Sequence, residues 1–155
     1  MFKARKLALG MTLALGGCIA AHAGDAPKAE VIHWWTSGGE AAAIKQIADA
    51  YRAAGGVWVD SAVAGSEQAR AVAVNRIVGR QPSTAAQLNT SKQFLDVIDQ
   101  GMLNNVDEVA IREGWSKFLP EPIDSAIKRN GHYYAVPVDS HMPAWIWYSK
   151  AAFKK

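Results

Sequence analysis

The feature that most restricts the fold is an alternation of short apolar stretches with helical patterns between residues 31 and 100. The predicted strands are Val31–Trp35, Val57–Val63 and Thr84–Leu88, and the predicted helices that follow them are Glu40–Ala54, Glu67–Val78 and Lys92–Gln100. Strands that alternate with helices of this length form right-handed βαβ units. The sequence therefore predicts an α/β fold, with a parallel-type sheet and flanking helices.

The predicted topology also indicates where a ligand would bind. In open α/β sheets, ligands bind at the carboxyl ends of the strands. Three segments follow such ends: Trp34 to the turn at Thr36–Gly39, then Ala64–Ser66, then Gln87–Ser91. We expect these segments to converge on one edge of the sheet.

The pattern changes after Gly101, where short helices and loops are expected, with one helical piece at Ile123–Lys128. Asn130-Gly131 is a hairpin-turn signal. Strands are predicted at His132–Val138 and Ala144–Tyr148.

The N-terminus has the organisation of a secretory signal peptide. Three cations precede the apolar stretch Leu7–Leu15, and Ala21-His22-Ala23 offers small residues at the two positions that a signal peptidase reads. The stretch is shorter than the about 20 apolar residues of a membrane-spanning helix. Cleavage is expected after Ala23. A minor alternative is a lipoprotein signal at Leu15–Cys18, in which Cys18 would be lipidated.

Charge and cysteine content exclude several classes of function. The chain has 17 Lys and Arg residues against 14 Asp and Glu residues, but three of the cations lie in the signal peptide, so the mature chain is neutral. Nucleic-acid binding requires a cationic surface, and we therefore exclude it. The sole cysteine, Cys18, lies in the signal, which leaves the mature chain without disulfide or thiol chemistry.

Two adjacent tryptophans at the end of the first strand are the main candidates for ligand contact. Side chains of neighbouring strand residues point to opposite faces, so one ring is expected in the core and the other at the strand exit. An indole face packs well against the apolar C–H face of a sugar, and its N–H can donate a hydrogen bond. Trp35 lies nearer the turn, and with Glu40 it is predicted to form one wall of a cleft.

Glu40 has two interpretations. A carboxylate in the first turn of a helix is stabilised by the helix dipole, without any functional role. Beside an aromatic ring, it would also accept strong hydrogen bonds from the hydroxyls of a neutral ligand.

Other kinds of chemistry find little support. His33, His132 and His141 lack the close spacing of zinc ligands, and Ala64–Gln68 lacks the second glycine of a nucleophile elbow. No phosphate-binding glycine motif is present. Glycoside hydrolysis by a carboxylate pair, Glu40 with Asp60 or with Asp139, stays open because the sequence gives no distances.

Several segments together resemble a known family. They are "EVIHWWTSGGEAAAIKQIADAYRAAGGVWVDSAVAG", "PSTAAQLN" and "RNGHYYAVPVDSHMPAWIWYSKAAF". With the export signal, they resemble the N-terminal portion of periplasmic sugar-binding proteins of ABC transporters, of the extracellular solute-binding kind that carries glucose or mannose. "WWTSGGE" and "HYYAVPV" are the most specific parts.

The resemblance implies a periplasmic-binding-protein-like (type II) N-terminal lobe, with sugar held between two α/β lobes that close and dock on membrane permease subunits. The expected division is a signal peptide at 1–23, the N-terminal lobe at 24–138, and at 139–155 a crossover into a second lobe that is largely absent. We expect a periplasmic monomer without cofactor or metal that is not an enzyme. With one lobe, it should bind glucose weakly or not at all.

The resemblance also carries over a set of ligand-binding residues: Trp34, Trp35, Glu40, Gln87, Lys92, Asp139 and His141. Ser66–Arg70 departs from the family pattern, which has further glycines there, so contacts from that loop are expected to differ. Two alternatives stay open. One is a periplasmic carbohydrate hydrolase, and the other is the same fold with an oligosaccharide or another polar solute as its ligand.

Overall fold

The computed structural model describes residues 26–140 and 149–151. The predicted signal peptide, including Cys18, lies outside the described residues, as do His141, the predicted strand Ala144–Tyr148 and most of the predicted crossover at 139–155. Within the described ranges, no helix is both long and apolar enough to cross a membrane.

The first part of the chain alternates strands and helices as predicted. Its elements are β1 (Lys28–His33), α1 (Gly38–Ala53), β2 (Val57–Ala62), α2 (Ser66–Val78), β3 (Ala85–Ala86) and α3 (Lys92–Asp99). The strands form one parallel sheet in the order β2-β1-β3, with Val31 level with Asp60 on one side and with Ala85 on the other. The predicted α/β fold with a parallel sheet and flanking helices is confirmed.

Helices α1 and α2 cover opposite faces of this sheet. Trp58 of β2 is level with Ala29, and its ring meets Tyr51 of α1 edge-on, with the ring centroids 6.2 Å apart. Glu30, the next residue of β1, points to the other face and pairs with Arg76 of α2. Because neighbouring strand residues alternate between faces, the two contacts assign one helix to each face.

The core of this part centres on Ile32, which is 1% exposed in the middle strand. The other buried apolar side chains of this part are Ala29, Trp35, Ala48, Ala69, Ala73, Ile77, Phe94, Val97 and Ile98. The buried residues of α2 include two alanines, whose small side chains let a helix backbone approach the sheet closely. The core is therefore built from both faces of β1.

Strand β1 begins earlier and ends earlier than the sequence predicted. It starts at Lys28, where pairing with Val57 begins, and it stops at His33, before Trp34. A charged residue fits within β1 because Glu30 accepts hydrogen bonds from both terminal nitrogens of Arg76 and from the Ser61 hydroxyl. The apolar run alone marked only the uncharged part of the strand.

The second part of the chain contains α4 (Asp107–Arg112), a 3₁₀ turn (Trp115–Lys117), α5 (Glu121–Ala126), β4 (Lys128–Arg129) and β5 (His132–Tyr133). The antiparallel hairpin of β4 and β5 turns at Asn130 and Gly131, which both have positive φ, at 53° and 83°. This conformation is the one that an Asn-Gly hairpin requires. The predicted strand His132–Val138 is wrong beyond Tyr133, and the helix predicted at Ile123–Lys128 ends at Ala126, because the next residues form the hairpin.

A separate hydrophobic cluster holds this second part together. Its buried members are Ala110, Trp115, Ile127 and Tyr133. The Trp115 and Tyr133 rings pack edge to face, with centroids 5.5 Å apart and an interplanar angle of 85°. Arg129 of β4 donates two hydrogen bonds to the Asp99 carboxylate of α3, at 2.7 and 2.6 Å, and so links this part to the parallel sheet unit.

The ion pair between β1 and α2 predicts a response to acid. Two hydrogen bonds from Arg76 (2.6 and 2.8 Å) and one from the Ser61 hydroxyl (2.9 Å) lower the pKa of Glu30 from 4.5 to about 2. A lowered pKa in the folded state stabilises the protein above the unfolded value, and this stabilisation disappears as the pH falls from 4.5 towards 2. We expect Glu30→Gln to lower the melting temperature at neutral pH. The difference in melting temperature between wild type and Glu30→Gln should shrink as the pH falls from 4.5 towards 2.

Thermal unfolding followed by circular dichroism at a series of pH values measures this difference. Glu67→Gln is the matched control, because the Glu67 side chain is 80% exposed and pairs with Arg70 three residues further along α2. Surface pairs of this kind contribute little to stability. A difference between wild type and Glu30→Gln that stays constant from neutral pH to pH 2 would contradict the prediction.

Candidate functional site

The exits of β1 and β3 meet at a hydrogen-bonded corner formed by Trp34 and Gln87. The Gln87 main-chain N–H donates to the carbonyl of Ile32 at 2.8 Å. The Trp34 main-chain N–H donates to Oε1 of the Gln87 side chain at 3.1 Å. Both residues are partly buried. The structure thus brings two of the predicted ligand-binding residues, 53 positions apart, into direct contact.

The exit of β2 reaches the same edge of the sheet. The Val63 N–H donates to the carbonyl of His33 at 2.8 Å, which continues the β1–β2 pairing past the end of the strands. The chain then turns at Gly65, whose φ of +89° strains any residue with a side chain. Helix α2 begins at the next residue. Three strand exits therefore converge, as their order in the sequence predicted.

The two tryptophans have different environments. Trp35 is 5% exposed and lines a cavity of about 430 Å³ between α1 and the β1–β2 pair, which also takes in Ile44 and Lys45. Trp34 is only partly buried at the strand exit. Of the two rings, Trp35 is the core ring and Trp34 is the accessible one. That Trp35 and Glu40 form one wall of a ligand-binding cleft stays a prediction.

A histidine–aspartate pair lies on the α1 face of the sheet. His33 is 2% exposed, and its Nε2 is 2.6 Å from Oδ1 of Asp60, an exposed residue of the edge strand β2. This pair was not predicted from the sequence. The signal that could have indicated it was the single histidine in the apolar run Val31–Trp35. A buried imidazole requires a polar partner.

Glu40 is the third residue of α1, and its side chain is exposed. The helix begins at Gly38, and Ser37 makes no side-chain capping hydrogen bond. A carboxylate in this first turn meets free N–H groups, which is the purely structural interpretation. The same location is compatible with contact to a ligand at the sheet edge.

Lys92 and Asp139 are the other predicted ligand-binding residues that the structure describes. Lys92 begins α3 as predicted, but its ammonium is 2.8 Å from both oxygens of Asp96 and its side chain is exposed. A ligand contact from Lys92 would compete with this ion pair. Asp139 is exposed, six residues beyond Tyr133, the last residue of β5.

Across residues 26–140 and 149–151, no group of three or more His, Cys, Asp or Glu side chains could hold a metal ion. The corner offers one partly exposed indole and one side-chain amide. These are groups that bind neutral, hydroxyl-rich molecules.

Comparison with known proteins identifies similar sequences that cover most of the chain. No family model matches it. The chain is 39% identical over 137 residues to a "Probable sugar-binding periplasmic protein" of Brucella melitensis, which covers 87% of this chain and 32% of the relative. A protein of the same name from Rhizobium meliloti is 40% identical over 132 residues, with coverages of 84% and 32%. The chain is a homologue of periplasmic binding proteins.

A more distant relative is an uncharacterized ABC transporter extracellular-binding protein of Pyrococcus horikoshii, which is 28% identical over 138 residues. That match covers 81% of this chain and 29% of the relative. The predicted resemblance to periplasmic sugar-binding proteins is confirmed by these relatives, whose names specify no particular sugar. The chain spans about a third of the length of the curated relatives it matches.

Proposed function

We propose that this chain forms the sugar-contacting part of the solute-binding component of an ABC sugar importer, and that the sugar is a monosaccharide such as glucose or mannose. The observation that carries the proposal is the partly exposed Trp34 at the exit of the central strand, whose main-chain N–H is hydrogen-bonded to the side chain of Gln87. An indole face can pack against the apolar C–H face of a sugar, and a neighbouring amide can hydrogen-bond to the sugar hydroxyls.

The names of the relatives support the same assignment. Those of Brucella and Rhizobium are sugar-binding periplasmic proteins by name, and that of Pyrococcus is an ABC transporter extracellular-binding protein. We extend these roles to this chain. It would be exported by the signal peptide at 1–23, act in the periplasm as a monomer and deliver its sugar to membrane permease subunits.

The proposed action is reversible binding without chemical change. A hydrolase would need a pair of carboxylates on either side of the scissile bond. One candidate for that pair, Asp60, is held by His33 on the α1 face of β2, which leaves less support for this alternative. Labelled oligosaccharides incubated with the protein should therefore be recovered intact, and their cleavage would favour the hydrolase.

The proposal predicts weak but localised sugar binding by this chain. In an NMR titration with glucose or mannose, we expect shifts of the Trp34 indole N–H and the Gln87 side-chain amide, with a dissociation constant on the order of millimolar. Trp34→Ala should weaken binding about tenfold, which corresponds to about 1.4 kcal/mol. Trp34→Phe keeps an aromatic face and should lose less.

Phe118→Ala is the control, because Phe118 is an exposed aromatic residue in the second part of the chain. It should leave the sugar titration unchanged. Shifts spread evenly over the surface, or equal affinity in wild type and Trp34→Ala, would contradict the proposed site. Micromolar binding in calorimetry would overturn the expectation that this chain holds only part of the site.

A further inference from the structure

Pairing between β1 and β3 is short, and Gln87 extends it. Only two residue pairs form the ladder, Val31 with Ala85 and Ile32 with Ala86. Past the ladder, the main-chain N–H of Gln87 still reaches the carbonyl of Ile32 at 2.8 Å, and its side-chain oxygen receives the N–H of Trp34 at 3.1 Å. The Gln87 side chain thus replaces a main-chain acceptor that a longer strand would supply.

Both main-chain polar groups of Trp34 are occupied. Its N–H is bonded to Gln87, and its carbonyl accepts the N–H of Thr36 at 2.9 Å. A residue held at both ends has a restricted backbone, which restricts the direction in which its side chain leaves the chain. Removing the Gln87 acceptor would release the first of these two restraints and leave only the hydrogen bond from Thr36.

The hydrogen bond also fixes the orientation of the Gln87 amide. A main-chain N–H can only donate, so the atom that faces it has to be the amide oxygen. The Nε2 group then keeps two N–H donors that the bond to Trp34 does not use. An amide held in this way offers a ligand hydrogen-bond donors, and its matching ligand atom is an acceptor.

We infer that Gln87 is a positioning residue for Trp34, and that it selects ligands that present a hydrogen-bond acceptor beside the indole. The second half of this inference rests on the proposed function, whereas the first half concerns the folded chain alone. Two variants separate the halves. Gln87→Glu keeps an acceptor for the Trp34 N–H but removes the amide donors, and Gln87→Ala removes both.

Hydrogen exchange of the Trp34 main-chain amide, measured by NMR on the 155-residue chain without sugar, tests positioning. We expect exchange about tenfold faster in Gln87→Ala, as for the loss of one hydrogen bond, and near wild-type exchange in Gln87→Glu. Gln93→Ala, at an exposed position of α3, is the matched control. The Val63 amide, bonded to His33 at the exit of β2, reports whether the sheet itself stays folded.

Wild-type exchange at Trp34 in Gln87→Ala would overturn the positioning role, whatever the sugar result. The donor role is tested with glucose and its monodeoxy and monodeoxyfluoro analogues. At one hydroxyl position, the fluoro analogue should bind wild type several-fold better than the deoxy analogue, because fluorine accepts but does not donate. Gln87→Glu should abolish this difference.

A fluoro analogue that binds wild type no better than its deoxy counterpart at every position would overturn the donor role. Absence of any saturable binding of glucose or mannose would count against the proposed function and the donor role together. The exchange measurement on Trp34 would then still decide the positioning role, so the two failures are distinguishable.

Discussion

Replacing Ile32 with alanine is expected to lower the free energy of unfolding by about 2–5 kcal/mol. Ile32 is 1% exposed and lies in the central strand, level with Ser61 on one side and Ala86 on the other. Side chains stand out from the sheet, so the substitution leaves a cavity on the face of β1 that α2 covers, and the hydrogen-bonded strands on either side limit how far β1 can shift to fill it. A loss of this size is a large part of the about 5–15 kcal/mol that stabilises an ordinary domain.

Urea unfolding followed by tryptophan fluorescence measures this loss. Ile47→Ala is the matched control, because Ile47 is 41% exposed on α1 and alanine is the better helix former. It should change the free energy of unfolding by about 0.5 kcal/mol or less. Equal losses for the two variants would show that β1 does not form the centre of the core.

The order of elements in the first part of the chain was predictable because each element is encoded locally. Apolar runs marked β1 and β2, helical spacing marked α1 and α2, and glycines marked the turns between them. The parallel direction of the strands then followed from the expectation of βαβ units. From these rules alone, the sequence also located the edge where Trp34 and Gln87 meet.

The contacts that shape this edge were not predictable, because they join residues distant in sequence. Trp34 and Gln87 are 53 positions apart, His33 and Asp60 are 27 apart, and no local pattern couples them. Strand alternation predicted that the two tryptophans face opposite ways, but it could not say which face α1 would cover. The structure assigns Trp35 to the covered face and leaves Trp34 accessible.

The second part of the chain was harder to predict because its elements are short. Strand β4 contains only Lys128 and Arg129, two charged residues with no strand pattern. Their pairing depends on the Asn130-Gly131 turn and on the ion pair of Arg129 with Asp99. Length, rather than chemistry, limited the prediction there.

A buried aromatic pair in this second part predicts a loss of stability as large as that at Ile32. Trp115 is 7% exposed and packs edge-on against Tyr133, whose hydroxyl donates to Asp124 at 2.5 Å. We expect Trp115→Ala to cost about 3–5 kcal/mol. Phe118→Ala is the control from the same segment, because Phe118 is 64% exposed, and it should cost far less.

Hydrogen exchange would show whether this loss stays local. The amides of Val106 and Tyr134 bond to the carbonyls of Tyr133 and Ile127, at 2.8 and 3.0 Å, and both should lose protection in Trp115→Ala. The Val63 amide should lose less if the second cluster opens as a separate cooperative unit. An equal loss at Val63 would mean instead that the cluster and the parallel sheet unfold together, with the Asp99–Arg129 bridge as a link between them.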